Sequence, residues 1–429
     1  MMRFYTRMLL GFILNCALLA VPAIADEGGI ADFPGLSATA DWPWWRGPTR
    51  NGVASNRPVP TAVSDTENLL WKVQVPGRGH SSPIVVGNRV YLTTAVRAEQ
   101  KHFVLAFDRT TGAKLWQEQV NQGAFPAKNH QKNTEATPSV ACDGERLFAT
   151  FYHHDMVEAV ALSFEGKVLW QKKVASFRPK AYEYGYAPSP LIYQNTVIIT
   201  SEYDGDSFIS ALDRATGDQV WQTKRLPMIS FSSPVVGHVA GKDQLLLSGA
   251  GKVSSYDPKK GEPLWSVLGT TLATCGTMVW DDKVVFASGG FPKAETVAVV
   301  ADGSNKVLWK NNQKCYEQSM LALDGHVYAF NDQGIMFCWR GTDGKEMWRQ
   351  RLGGLVSASP VLANGNIYWA NESGTLFVFK ATPEKYDQLA KNQIGDSSFA
   401  SPAICGGQIF LRVAKDGQEW LYCFAGKSK

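Results

Sequence analysis

The stretch "AFDRTTGAKLW" at 106–116 returns as "ALDRATGDQVW" at 211–221 and "SYDPKKGEPLW" at 255–265. In each copy an aromatic or aliphatic residue (Phe107, Leu212, Tyr256) leads to an aspartate, a glycine stands four residues on, and a tryptophan four beyond that. An aspartate carboxylate bonds back to nearby backbone N–H groups and glycine accepts positive φ, so each copy predicts a tight β-hairpin. Asp108, Gly112, Asp213 and Gly217 are therefore read as structural turn residues. Trp71, Trp116, Trp170, Trp221, Trp265, Trp309 and Trp348 stand at equivalent fourth-strand positions and are expected to wedge between neighbouring sheets. A seventh unit, "KYDQLAKNQI" at 385–394, lacks the tryptophan.

A second motif, a small residue and serine before proline and an apolar run, gives the period. It reads "HSSPIVV" (80–86), "EATPSVA" (135–141), "APSPLIY" (187–193), "FSSPVVG" (231–237), "TCGTMVW" (274–280), "EQSMLAL" (317–323), "SASPVLA" (357–363) and "FASPAIC" (399–405). Anchored on Pro83, Pro138, Pro190, Pro234, Thr277, Met320, Pro360 and Pro402, the units recur every 40 to 55 residues. Each also holds a β-branched and aromatic alternation bounded by turn residues, such as "GHVYAFN" (325–331). Four strands per such period predict an all-β, eight-bladed β-propeller of four-stranded antiparallel blades. "NLLWKVQV" (68–75) precedes the first unit, whereas the last ends at "EWLYCFAGKSK" without an outer strand. The N-terminal strand is thus expected to complete the last blade and remove an open edge.

Residues 1–25 carry Arg3 and Arg7, an apolar run from 9 to 21 and Ala23-Ile24-Ala25, the pattern of a cleavable export signal. The mature chain is expected to be periplasmic or secreted, a monomer with no membrane span. Residues 26–64 read as an extended lead-in, with Trp42, Trp44 and Trp45 docked on a propeller spanning 65–425, or else serving as a hook for a partner. The formal charge of +4 falls by two without Arg3 and Arg7, and scattered basic residues exclude a nucleic-acid surface. Six cysteines follow the leader with no C-x-x-C, which excludes zinc spacing; Cys405 and Cys423 fall in one unit, where a bridge or free buried thiols are both open. No G-x-S-x-G, Walker loop or H-E-x-x-H occurs.

Tandem A-x-D-x-x-T-G-x-x-x-W units closed by an N-terminal strand resemble the pyrroloquinoline-quinone (PQQ)-like propellers over roughly residues 65–425. That superfamily contains quinoprotein alcohol dehydrogenases and the BamB-type outer-membrane assembly factors. "DWPWWRGPTRNGVAS" (41–55) is similar to the lead-in of secreted propellers of this group. The enzymes imply PQQ with calcium, a vicinal cysteine pair and a catalytic aspartate. No cysteines are adjacent here and no calcium set aligns, while the minimal blades are similar to the BamB type, though its lipidated cysteine is absent. The resemblance thus implies a non-catalytic binding scaffold, with a PQQ-dependent dehydrogenase of divergent ligands as the alternative.

Loops between second and third strands, and those joining blades, return to one face. Inserts at 119–136 and 173–187 enlarge it. The residue three before each anchor should ring the channel mouth there: His80, Glu135, Ala187, Phe231, Thr274, Glu317, Ser357 and Phe399. With His130, Tyr182, Glu183, Tyr184 and Tyr186 from the inserts, these are the candidate residues for a protein, peptide or small polar ligand. No catalytic or metal-binding residues are assigned. His153 and His154, adjacent in "YHHD" (152–155), are expected to diverge on a surface loop, and "EYDGDS" (202–207) to form an ordinary turn.

Overall fold

A computed structural model describes residues 29–426, so the expected export signal at 1–25 lies outside the described residues. Eight four-stranded antiparallel sheets are arranged as blades. Blade 1 runs from its inner strand Ile84–Val86 through Arg89–Val96 and Lys101–Asp108 to the outer strand Lys114–Gln122. Blades 2 to 7 repeat this order over 141–176, 191–224, 235–268, 279–311, 321–351 and 361–393. Blade 8 joins both ends of the propeller: Ala403–Cys405, Gln408–Lys415 and Gln418–Ala425 are completed by Leu69–Val75, with Trp71 opposite Cys423. Among the described residues no helix is long and apolar enough to cross a membrane.

The repeated turn and the repeated tryptophan prove to be two halves of one contact. The Asp108 carboxylate accepts the backbone N–H groups of Thr110 (2.9 Å) and Thr111 (2.8 Å), setting up the hairpin, and Gly112 follows at φ 75°. Onto that glycine lies Trp71 of the preceding blade, whose indole N–H donates to the Arg109 carbonyl at 2.9 Å. A Cβ on Gly112 would sit 2.6 Å from the Trp71 ring, closer than atoms can approach. The contact recurs between Trp116 and Gly166, Trp170 and Gly217, and Trp309 and Gly344. Within each blade the tryptophan faces a small residue on the third strand, such as Ala106 for Trp116 and Ala211 for Trp221. In the seventh blade Ala390 takes the tryptophan's register position, and Tyr386 covers Trp348 of the sixth from the turn instead.

The serines explain the second motif. Around the channel each serine N–H donates to the hydroxyl of the next blade's serine: Ser82 to Ser139 (2.9 Å), Ser139 to Ser189 (3.0 Å), Ser189 to Ser233 (2.9 Å). The relay resumes from Thr277 to Ser319 (3.1 Å), Ser319 to Ser359 (2.9 Å), Ser359 to Ser401 (2.8 Å) and Ser401 back to Ser82 (2.9 Å). It is interrupted at Thr277, whose hydroxyl accepts the Trp45 indole N–H at 2.8 Å.

The lead-in crosses the far end of the channel. Trp42 pairs with Val85 and Val53 with Leu362, the Arg46 guanidinium donates to the carbonyls of Pro360 (2.7 Å) and Met320 (3.0 Å), and Arg50 to that of Ile192 (2.8 Å). Trp42 and Trp44 are buried, and the Arg50 guanidinium stacks 4.1 Å over Trp44. With the Cys142 N–H donating to the Pro43 carbonyl at 2.8 Å and Asn51 Nδ2 donating to the Trp280 carbonyl at 2.7 Å, this segment touches six blades and plugs the channel from the side opposite the inserts. All six cysteines of the described residues are free, so Cys405 and Cys423 are not bridged.

Replacing Trp71 by alanine removes a buried indole from the closing contact and should cost about 3–5 kcal/mol. Gly112→Ala forces a methyl group into that ring at positive φ and should cost about 2 kcal/mol or more. Because both changes act on one contact, the double variant should lose less than the two single losses added together. Urea denaturation of the four proteins reads this directly.

Candidate functional site

At the face opposite the plug the channel widens into a funnel of about 920 Å³ with Trp45 at its floor. Its wall contains His80, Ala187, Phe231, Glu317, Ser357 and Phe399 of the expected ring. At the two remaining positions the structure places Thr137 and Cys275 in the wall in place of the expected Glu135 and Thr274. In blade 2 the ring serine is Ser139, which follows Pro138 instead of preceding it, so the wall position is Thr137 and not Glu135. In blade 5 Thr277 itself holds the serine place, so Cys275 faces the funnel while Thr274 is buried behind it. Counting from the ring serine instead of the proline recovers all eight.

Glu135 lies in the neighbouring groove, ion-paired with Arg97 and accepting from Asn129 Nδ2 at 3.3 Å. Tyr186 is also outside the funnel: it is buried, its hydroxyl donating to the Thr200 carbonyl at 2.8 Å. Glu183 is exposed and paired with Lys128 at 2.6 Å. Tyr182 stands on the rim with its ring edge to Tyr184 and Phe291. His130 and Tyr184 do line the funnel, their rings 4.7 Å apart. The outer strands of blades 1 and 2 are longer than expected, reaching Gln122 and Ser176, so the inserts begin only at 123 and 177.

Two aromatic stacks build the walls: His80 on Phe399, with centroids 4.4 Å apart, and Tyr184 on Phe231 at 6.0 Å. Burial, reinforced by the Arg78 and Arg412 charges, pulls the His80 imidazole down to about 3, so it is neutral in ordinary buffers. Burial and Lys132 lower His130 as well. The polar side of the funnel escaped the repeat-based reading because it comes from non-repeating loops. Lys132, on the first insert, reaches across the mouth to Glu372 (2.8 Å) and Glu317 (3.5 Å). Glu372 also accepts from the Ser357 hydroxyl at 2.7 Å. Asp332 pairs with Lys314 at 3.4 Å, and that ammonium lies over the Tyr316 ring. Burial pushes the Glu317 carboxyl up to about 7, with Asp332 and Glu372 repelling its charge and Lys132 pulling the other way. Lys132 is held above the usual lysine value by Glu317, Glu372 and Asp332, against its own burial.

His153 and His154 do not diverge. His153 ends its strand buried, His154 sits at φ 50° in the turn, and the reversal brings their Nδ1 atoms to 2.7 Å, with Glu158 3.1 Å from His153 Nε2. "EYDGDS" turns as expected, Asp204 accepting the N–H groups of Lys180 and Ala181 while buried Glu202 pairs with Arg225. Among the described residues no group of three or more histidine, cysteine, aspartate and glutamate side chains is placed to hold a metal.

Eight minimal PQQ-like blades, one sealed end and one loop-rich mouth define the class. The chain belongs to the family described as outer membrane protein assembly factor BamB, whose model matches residues 52–176, 100–350 and 293–385. It is 20% identical over 362 residues to the BamB of Burkholderia pseudomallei, covering 76% of this chain and 92% of that one. It is 22% identical over 397 residues to the Yersinia pestis BamB, covering 86% and 92%. The solved BamB of Moraxella catarrhalis superposes with a TM-score of 0.61 at 15% identity, covering 84% of this chain and 98% of that one. A europium-containing methanol dehydrogenase superposes at 0.71 with 12% identity, covering 90% and 98%, which is a likeness of fold alone.

Glu317 titrates higher in the folded chain, about 7, than its ordinary value of 4.5, so between those pH values the native state holds a proton the unfolded chain releases. Its contribution to stability therefore falls as pH rises through that window, by on the order of 3 kcal/mol at most. Glu317→Gln should match the parent in thermal stability near pH 5 and exceed it near pH 8; equal curves at both would contradict the assignment.

Proposed function

We propose that this protein is an exported, non-catalytic scaffold of the cell envelope that holds a protein or peptide at its loop-rich mouth. The observation that carries this is the asymmetry of the propeller: the lead-in seals one end of the channel, and the two inserts build a walled funnel at the other. An adjoining groove of about 1750 Å³, shared through His130, Asn133 and Tyr184, extends the recess along the inserts to Arg97 and Lys128. Membership of a family described by outer-membrane protein assembly supports a partner in that process, and the expected export signal supports a periplasmic location.

The residues present do not suit PQQ, a planar quinone bearing three carboxylates. The funnel brings Glu317 and Glu372 to its mouth, and Lys132, the ammonium that reaches it, is already bonded to both. Among the described residues that line the funnel Lys132 is the lysine or arginine present, so a triply anionic guest would meet like charge with that cation already neutralised. Titration of the purified protein with PQQ and calcium should therefore leave the absorbance spectrum additive and dye reduction with alcohols at background. A saturable spectral change would restore the dehydrogenase reading.

Photo-crosslinking tests the scaffold. With benzoylphenylalanine at Tyr182 or Lys128, envelope extracts should yield a discrete adduct that is absent when the probe stands at Lys259, on the hairpin face. Adducts only from Lys259, or from no position, would refute a working mouth.

A further inference from the structure

Resting on the mouth as the working face, we infer that the funnel takes the alkylammonium of a lysine side chain presented by an extended peptide. Charge balance is the first reason. Glu372 and Asp332, joined by Glu317 once it ionises, act together on Lys132, and with Lys314 as the second ammonium they leave one carboxylate in excess around it above about pH 7. Of the other cations near the funnel, Arg412 is paired with Glu419 and Arg78 stands beside His80. The mouth histidines add no balancing charge, since burial keeps His80 and His130 neutral. Lys132 shows that an ammonium suits this carboxylate pair: it arrives from the far side of the mouth on the first insert and sits between them.

The walls are the second reason. Beyond the carboxylates the funnel is lined by Trp45, Tyr184, Phe231, Tyr316 and Phe399. Such a lining suits an apolar methylene stem, and aromatic rings near an ammonium add attraction that strengthens as water is excluded. The third is continuity. The groove shared through His130, Asn133 and Tyr184 opens directly beside the funnel, so a peptide main chain can lie along it while one side chain turns inward. A free amine would leave that groove unused.

Calorimetric titration with acetyl-Gly-Lys-Gly-amide tests this, using Nε-acetyl-lysine and norleucine versions of the peptide and n-butylamine as controls. The lysyl peptide should bind saturably, with the three controls at least tenfold weaker. Glu317→Gln and Glu372→Gln should each weaken it fivefold or more in proteins that still melt cooperatively. Lys132→Gln should strengthen it, because it frees two carboxylates, and a merely structural role for Lys132 predicts no gain. Because an entering cation favours ionised Glu317, affinity should rise by up to about tenfold from pH 6 to pH 8. No heat with the lysyl peptide, equal binding of its acetylated form, butylamine binding as tightly, or no gain with Lys132→Gln would overturn the inference. If the mouth still crosslinks a partner in that event, the scaffold reading stands and only the ligand assignment falls.

Discussion

An indole lying flat on a glycine holds this molecule together. A blade of four strands has two apolar faces and cannot bury them alone, so each must be covered by its neighbours. The tryptophan of one outer strand reaches the hairpin of the next blade, where the absent side chain at Gly112, Gly166, Gly217 or Gly344 is the space it fills. Its N–H then satisfies a turn carbonyl, as Trp71 does with Arg109 and Trp116 with Phe164. The sequence repeats both residues together because neither works without the other. Repetition alone would build an open stack, and the strand at Leu69–Val75 turns it into a ring.

Closure has a chemical consequence. Around the channel the serine hydroxyls of the relay accept backbone N–H groups from the neighbouring blade, satisfying donors that the blade's own ladder does not. With the ring fixed in this way, variation is left to the loops. Blades 1 and 2 use that freedom to send their inserts over the mouth, where Lys132 spans to blades 6 and 7 and ties opposite sides of the face together. At the other end Arg46, buried and pulled down to about 9 by the loss of water, uses its donors on inner-strand carbonyls. The channel is thus a blind recess whose open side carries its ionisable groups.

How far the residues alone could reach follows from what repeats. The eight blades, the hairpin geometry and the shared last blade were legible because the fourth-strand tryptophan is written seven times and its contact with a hairpin glycine recurs at five blade junctions. The mouth positions were legible as a rule but slipped in two blades. Proline is the conspicuous residue of the motif, whereas the physical invariant is the hydroxyl position beside the next blade, so a count from proline points to Glu135 in place of Thr137 and to Thr274 in place of Cys275. Lys132, Glu372, Asp332 and Tyr316 went unseen because single loops supply them and no period points to them. The docking of Trp42 and Trp44 was expected from their apolarity, but their place across the axis was not, since it depends on carbonyls offered by five distant blades. Tyr186 and the His153–His154 pair were misjudged because turn geometry decides where those side chains point.

Native-state hydrogen exchange of the intact protein tests whether the ring is one cooperative unit closed by its first strand. Amides of Leu69–Val75 and their partners in Gln418–Ala425 should exchange only through the same global opening as the third strands of blades 1 to 7, while 123–140 and 177–190 exchange through local opening. Early exchange confined to 69–75, with the other seven blades still protected, would show that this strand does not latch the ring.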